Sequence, residues 1–198
     1  MEACLIVTYR CNAKCYMCDT WQHPTKKSEE FSPILVDKIP DGLQFINITG
    51  GEPFIREDLD EIIERALKKT KRLVISTNGY FTDKVIAIAK KYGNRIGIRI
   101  SIEGLPAAND ELRGIKNGFD RGLRTLLTLH NMGIKDIGFG ITVSDRNAKD
   151  MLELYTLASE LGMEFATAVT HNSFYFHKKS NAFKDKDNKV LNQQVFTP

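Results

Sequence analysis

The strongest constraint on this chain is an alternation of two patterns. Short runs rich in Ile, Val, Phe and Thr start at Ala3 (ACLIVTY), Leu43 (LQFINIT), Arg72 (RLVIST), Ile96 (IGIRISI), Asp136 (DIGFGITV) and Glu164 (EFATAVT). Each is too short and too near glycine or charge clusters to be a long helix, so each is read as a strand. Between them stand amphipathic stretches. EDLDEIIERALKK carries Leu59, Ile62, Ile63, Ala66 and Leu67 on one face, with acids in its first turn and lysines in its last, as a helix dipole prefers. TDKVIAIAKKYG is expected to be capped by Thr82 and stopped by Gly93. The stretch ending at Gly133 should bury Phe119, Leu123, Leu126, Leu127 and His130, and that ending at Gly162 should bury Met151, Leu154, Tyr155, Ala158 and Leu161.

Strands alternating with helices imply a parallel sheet joined by right-handed crossovers. Periodicity leaves an open doubly wound sheet and a curled, barrel-like one equally open. In both, the functional side is expected at the carboxyl ends of the strands. With 198 residues, one domain with one core is the default. The division expected is a core over residues 1–170 and a polar tail over 171–198 that contains Tyr175, His171 and His177 without a spacing that fixes a role. The net charge of +3 is too small to point to nucleic acid or a membrane surface. No apolar run approaches the ~20 residues of a spanning helix, and no signal-peptide order opens the chain, so the expected compartment is the cytoplasm.

Chemistry concentrates in TYRCNAKCYMCDTW, where Cys11, Cys15 and Cys18 follow the first predicted strand. Bridging within so short a turn is strained and leaves an odd thiol, so a reduced metal-binding set is the better reading. Soft thiolates select zinc, copper(I) or iron-sulfur chemistry. A structural zinc would need a fourth ligand, for which His23 is the nearby histidine; a 4Fe-4S cube on three cysteines leaves one iron open. Cys4, in the apolar run ACLIV, is expected to be a small buried core residue.

The spacing C-x3-C-x2-C after the first strand resembles the signature of the radical S-adenosylmethionine enzymes, and the other strand ends extend the likeness. NITGGEPF, STNGYF and RISIEGLP close the second, third and fourth strands in the order that family requires. The resemblance covers about residues 3–170 and implies a partial (β/α)6 TIM-like barrel. It implies that the open iron chelates the amino and carboxylate groups of S-adenosylmethionine, and that one-electron reduction gives a 5'-deoxyadenosyl radical that takes hydrogen from a substrate. It further implies that Gly50, Gly51, Glu52 and Pro53 hold the methionine ammonium, and that Ser101 and Glu103, two apart on one strand face, hold the ribose. By the same resemblance Arg113 is expected near the methionine carboxylate, and Ser76 and Asn78 near the cofactor. The resemblance also implies that Thr142, Val143 and Met17 border the adenine, with Met17 standing where an aromatic residue is frequent.

Within the family the nearest branch is that of the SPASM and molybdopterin-biosynthesis enzymes, many with auxiliary clusters, yet no cysteine follows Cys18. Either one cluster serves, or the chain is the core of something longer. The expected partners are a small-molecule or peptide substrate and a one-electron reductant such as flavodoxin or ferredoxin. The alternative is a non-catalytic cluster- or zinc-containing binding or regulatory module.

Overall fold

The computed structural model describes residues 1–169; the expected tail, with His171, Tyr175 and His177, lies outside them. Six strands form one sheet: β1 (Glu2–Ile6), β2 (Leu43–Thr49), β3 (Thr70–Thr77), β4 (Gly97–Ser101), β5 (Ile137–Val143) and β6 (Glu164–Val169). All neighbours are parallel and the spatial order is the sequence order. A doubly wound sheet reverses its order at a switch point. A sequential order instead sends every crossover the same way, puts the helices on one face and lets the twisted sheet curl toward a barrel. The curl is visible across the concave face, where Arg72 on β3 donates to Glu164 on β6 at 2.9 Å. The architecture that periodicity left open is therefore the half-barrel.

Period-two alternation separates two environments. Ile46, Ile48, Leu73, Ile75, Ile98, Ile100, Phe139 and Ile141 point to the helices and are buried, each contributing roughly 1.5–3 kcal/mol on the burial of an apolar side chain. Asn47, Ser76, Arg99, Ser101 and Thr142 lie between them on the concave side and line an open trough. Helices α1 (Leu59–Ala66), α2 (Thr82–Tyr92), α3 (Pro106–Arg113), α4 (Gly118–Asn131) and α5 (Met151–Glu160) cover the other face. Among the described residues no helix is long and apolar enough to cross a membrane.

Several expectations need correction. Helix α3 was not foreseen, because PAANDELR has almost no apolar stripe; Pro at its start and left-handed Gly114 at its end define it instead. On α4 the buried face carries Phe119, Gly122, Thr125, Leu126 and Leu129, while Leu127 and His130 are exposed. Small residues occupy the centre of that contact, since a Cβ on Gly122 would lie 3.1 Å from Ile100 Cγ2; a search for large side chains misplaces such a face. Tyr155 on α5 is exposed and meets Phe165 edge to face. Thr82 is the first residue of α2 rather than its cap. Cys4 is exposed, because β1 is an edge strand and Cys4 alternates away from the packed Ala3 and Leu5.

Candidate functional site

The cysteine segment is fixed from three directions. Behind it, the backbone that leads in from β1 is tied to the glycine loop: Gly51 N donates to Thr8 O at 2.6 Å and Glu52 N to Arg10 O at 2.8 Å. This approach requires glycine, since a Cβ on Gly50 or Gly51 would lie 2.3 Å from the Thr8 or Arg10 carbonyl oxygen, and Gly50 also has φ of 136°. In front, Lys14 N donates to Arg113 O at 3.0 Å and Tyr16 N to Leu112 O at 2.7 Å, which pins the segment to the end of α3. To the side, Glu30 accepts from Arg10 Nε at 2.8 Å, Arg10 Nη2 at 2.9 Å and Thr8 Oγ1 at 2.5 Å. Loop residues held this way are ordered before any ligand arrives.

The segment roofs a cavity of about 240 Å³ at the carboxyl ends of the strands. Cys11, Cys15, Cys18 and Met17 line it together with Gly50, Gly51, Ser76, Asn78, Ser101, Glu103, Arg113 and Thr142. The cavity shares Thr49, Ser76, Ser101, Glu103, Thr142 and Ala168 with the trough in the concave face, whose volume is about 390 Å³. The two adjoin along this shared wall.

Glu52, Pro53 and Val143 do not line the cavity. Glu52 is fully enclosed and accepts from Phe54 N at 3.1 Å, Thr77 Oγ1 at 2.6 Å and Asn78 N at 2.8 Å. Its carboxylate is a strut that joins the GGEP loop to the end of β3. Burial pushes its pKa upward, against those three hydrogen bonds. Pro53 is buried in the short turn that follows, and Val143 packs in the core because it alternates with Thr142.

Glu103 and Arg113 form a buried ion pair at 2.8 Å. Glu103 also accepts from Thr142 N at 2.6 Å, and burial moves its pKa upward while Arg113 opposes the shift. For Arg113, burial favours losing the proton, but Cys15, Glu103, Cys11 and Glu52 around it raise its pKa, so it stays a cation. Arg113 Nε is buried without a hydrogen-bond partner among the described residues. An unpaired cationic donor in a cavity wall is a place for an anion such as a carboxylate.

The thiols are shielded. Burial pushes the Cys11 thiol up to about 12, and raises Cys15 with Arg113 opposing. Among the described residues no three His, Cys, Asp or Glu side chains close around one point as a single metal ion requires, and His23 is exposed and outside the cavity wall. Three cysteines spread around one cavity, with a carboxylate-seeking arginine and an approachable glycine backbone beside them, fit a polynuclear cluster with a chelating ligand. They do not form the compact shell of a structural zinc.

Reading the sequence missed Trp21, Thr20 and Ala13, which also line the cavity. It also missed Asn109 and Asn147, both fully buried. Asn109 Oδ1 accepts from Glu103 N at 2.8 Å, and Asn147 Nδ2 donates to Glu103 O at 2.6 Å and Thr142 O at 3.0 Å. A lone asparagine carries no periodic signal, and only its burial shows that it is structural.

Comparison with known proteins gives three concordant findings. The family model for the Radical SAM superfamily matches residues 5–158. The Fe-coproporphyrin III synthase of Methanosarcina barkeri is 34% identical over 159 residues, covering 78% of this chain and 40% of that protein. The mycofactocin maturase MftC of Mycolicibacterium smegmatis is 30% identical over 162 residues, covering 79% and 41%. The chain thus spans about two fifths of the length of these relatives. In fold it resembles Streptococcus suis SuiB bound to S-adenosylmethionine, with a TM-score of 0.76 at 20% identity over 98% of this chain and 46% of that one.

Proposed function

The chain belongs to the radical SAM superfamily, whose members are enzymes that use a 4Fe-4S cluster and S-adenosylmethionine, and on that premise we propose that residues 1–170 form a core that reductively cleaves S-adenosylmethionine to act on a peptide or small-molecule substrate. The observation that carries this reading is the shared cavity: three thiols, the unpaired Arg113 Nε and the glycine loop meet at one end of the half-barrel. When bound, the cluster supplies one electron to the sulfonium, and the resulting 5'-deoxyadenosyl radical takes a hydrogen atom from the substrate.

The protein's part is position. Cys11, Cys15 and Cys18 hold the cluster against a backbone already pinned on three sides. Arg113 receives the methionine carboxylate, oriented for it by the ion pair with Glu103. The Gly50–Gly51 backbone offers its carbonyls to the ammonium. Glu52 acts indirectly, by fixing that backbone to Asn78 and Thr77. Ser101 and Glu103 face the ribose, and Met17 and Thr142 border the adenine. The trough, walled by Asn47, Ser76, Gly140, Thr142 and Ala166, takes the substrate below.

Two kinds of substrate stand among the relatives. Fe-coproporphyrin III synthase is named for a tetrapyrrole, while AlbA of Bacillus subtilis serves biosynthesis of the bacteriocin subtilosin and SuiB has been crystallised with its precursor peptide SuiA. A peptide side chain suits a trough of this size, whose upper wall sets the hydroxyls of Ser76, Ser101 and Thr142 beside the Glu103 carboxylate. Deuterium transfer from a labelled candidate peptide into 5'-deoxyadenosine tests it; no transfer from any peptide but transfer from a tetrapyrrole would reverse the preference. A one-electron reductant of the flavodoxin or ferredoxin kind completes the cycle, in the cytoplasm.

A further inference from the structure

Trp21 is the sole tryptophan of the chain and sits on a 3-10 turn, Thr20–Gln22, just beyond Cys18. It lines the same cavity as the three cysteines. Its indole Nε1–H is shut off from solvent and has no hydrogen-bond partner among the described residues. Leaving such a donor unpaired costs about 1–3 kcal/mol, and buried indole N–H groups ordinarily find an acceptor. The Lys14 ammonium lies over its ring at 5.8 Å, and the Lys14 backbone is held by Arg113.

The surroundings already show sulfur as an acceptor here. Ala13 N donates to Cys11 Sγ at 3.4 Å, whereas in the 3.1 Å contact between Cys18 Sγ and Thr20 Oγ1 the thiol donates. A ligating cysteine carries no proton, so in a loaded site the Thr20 hydroxyl becomes the donor of that contact. One turn therefore carries a hydroxyl in contact with Cys18 Sγ and a buried, unpaired N–H on a residue that lines the cavity of the three cysteines.

We propose that the Thr20–Trp21 turn tunes the reduction potential of the cluster, with Thr20 donating to the Cys18 thiolate and Trp21 donating to a sulfur of the same cluster. This rests on the reading that the three cysteines hold a cluster. Hydrogen bonds to cluster sulfurs favour the reduced, more negative form and so raise the potential. Trp21 acts through the cluster and is a positioning and tuning residue, not a catalytic one.

The full chain, wild type and Trp21→Phe, is reconstituted anaerobically with iron and sulfide and titrated to its midpoint potential. Separately, wild type carrying nitrogen-15 in its indole is reduced and its paramagnetic spectrum searched for a coupling to that single nitrogen. The expected results are equal iron and sulfide content, a midpoint moved to more negative potential in Trp21→Phe, and a resolved nitrogen-15 coupling. A loaded variant with an unmoved potential overturns the proposal, and so does a loaded wild type without the coupling. If Trp21→Phe does not load, the labelled wild type decides alone. If the wild type itself binds no cluster, the reading of the cysteines falls and this inference falls with it.

Discussion

Arg113 joins most of the site in one side chain. Its guanidinium is paired to Glu103, its backbone carbonyl holds Lys14, and its Nε is left for a ligand. Replacing it by Lys keeps the charge and removes the fork geometry. Arg113→Lys is expected to fold and to bind S-adenosylmethionine about tenfold more weakly, a change of about 1.4 kcal/mol, measured by equilibrium dialysis on the cluster-loaded protein; unchanged affinity would place the carboxylate elsewhere. Gly51 shows the opposite kind of constraint, in which no side chain is tolerated. Its added Cβ would meet the Arg10 carbonyl oxygen at 2.3 Å, and that backbone is held by Glu52 N and cannot yield cheaply. Gly51→Ala should therefore lose about 1–3 kcal/mol to overpacking, read from urea unfolding, and the loss should be accompanied by poorer cluster retention.

Elements position these residues through contacts that differ in how well the sequence reveals them. The three cysteines could be grouped from the sequence because they fall in one loop, where spacing is the geometry, and the structure sets all three in one cavity wall. Ser101 ends β4 and Glu103 lies two residues beyond it, and both line the same cavity. Glu52 was expected at the methionine ammonium and stands instead as a strut outside the cavity wall, because its partners Thr77 and Asn78 lie at the end of another strand and only tertiary structure brings them together. Helix α3 escaped notice for lack of an apolar stripe, and the packed face of α4 was misjudged because Gly122 and Thr125 are its centre. A polar belt at the opposite end of the sheet was missed for the same reason: Arg72, Arg99, Asp136 and Glu164 are scattered along the sequence. In the fold Arg72 meets Asp136 at 2.8 and 2.9 Å, Arg99 meets it at 2.6 Å, and both arginines reach Glu164. The belt ties β3 and β4 to the starts of β5 and β6 and so helps set the curl. Hydrogen bonding from Arg72, opposed by burial and helped by Arg99, pulls Asp136 down to about 2. A carboxyl depressed in the folded state contributes stability above its unfolded value of about 3.9 and loses that contribution as pH falls toward about 2. Acid denaturation should accordingly show a fall in stability between about pH 4 and pH 2 that Asp136→Asn reduces, with the depressed Glu30, Asp58 and Asp60 retaining the rest. An identical pH profile in the variant would mean that Asp136 contributes nothing to stability in acid.

At the scale of the molecule, a half-barrel with sequential strands gathers every strand-to-helix loop at one end and leaves its concave face open. The upper end receives the cysteine segment, the glycine loop and Arg113; the trough beneath it shares a wall with that cavity. On the proposed reading, the loops hold cluster and cofactor and the strand interiors shape what approaches from below. The relatives differ in the molecules for which they are named while matching this chain over the same core. On the same reading, substrate choice belongs to the trough and bond cleavage to the roof. The most direct test of the central claim is to reconstitute the protein with iron and sulfide without oxygen, reduce it with dithionite in the presence of S-adenosylmethionine, and measure 5'-deoxyadenosine. The account predicts its formation by the wild type and its absence, together with loss of the cluster, in Cys15→Ala; a fully loaded wild-type cluster that yields none would contradict it.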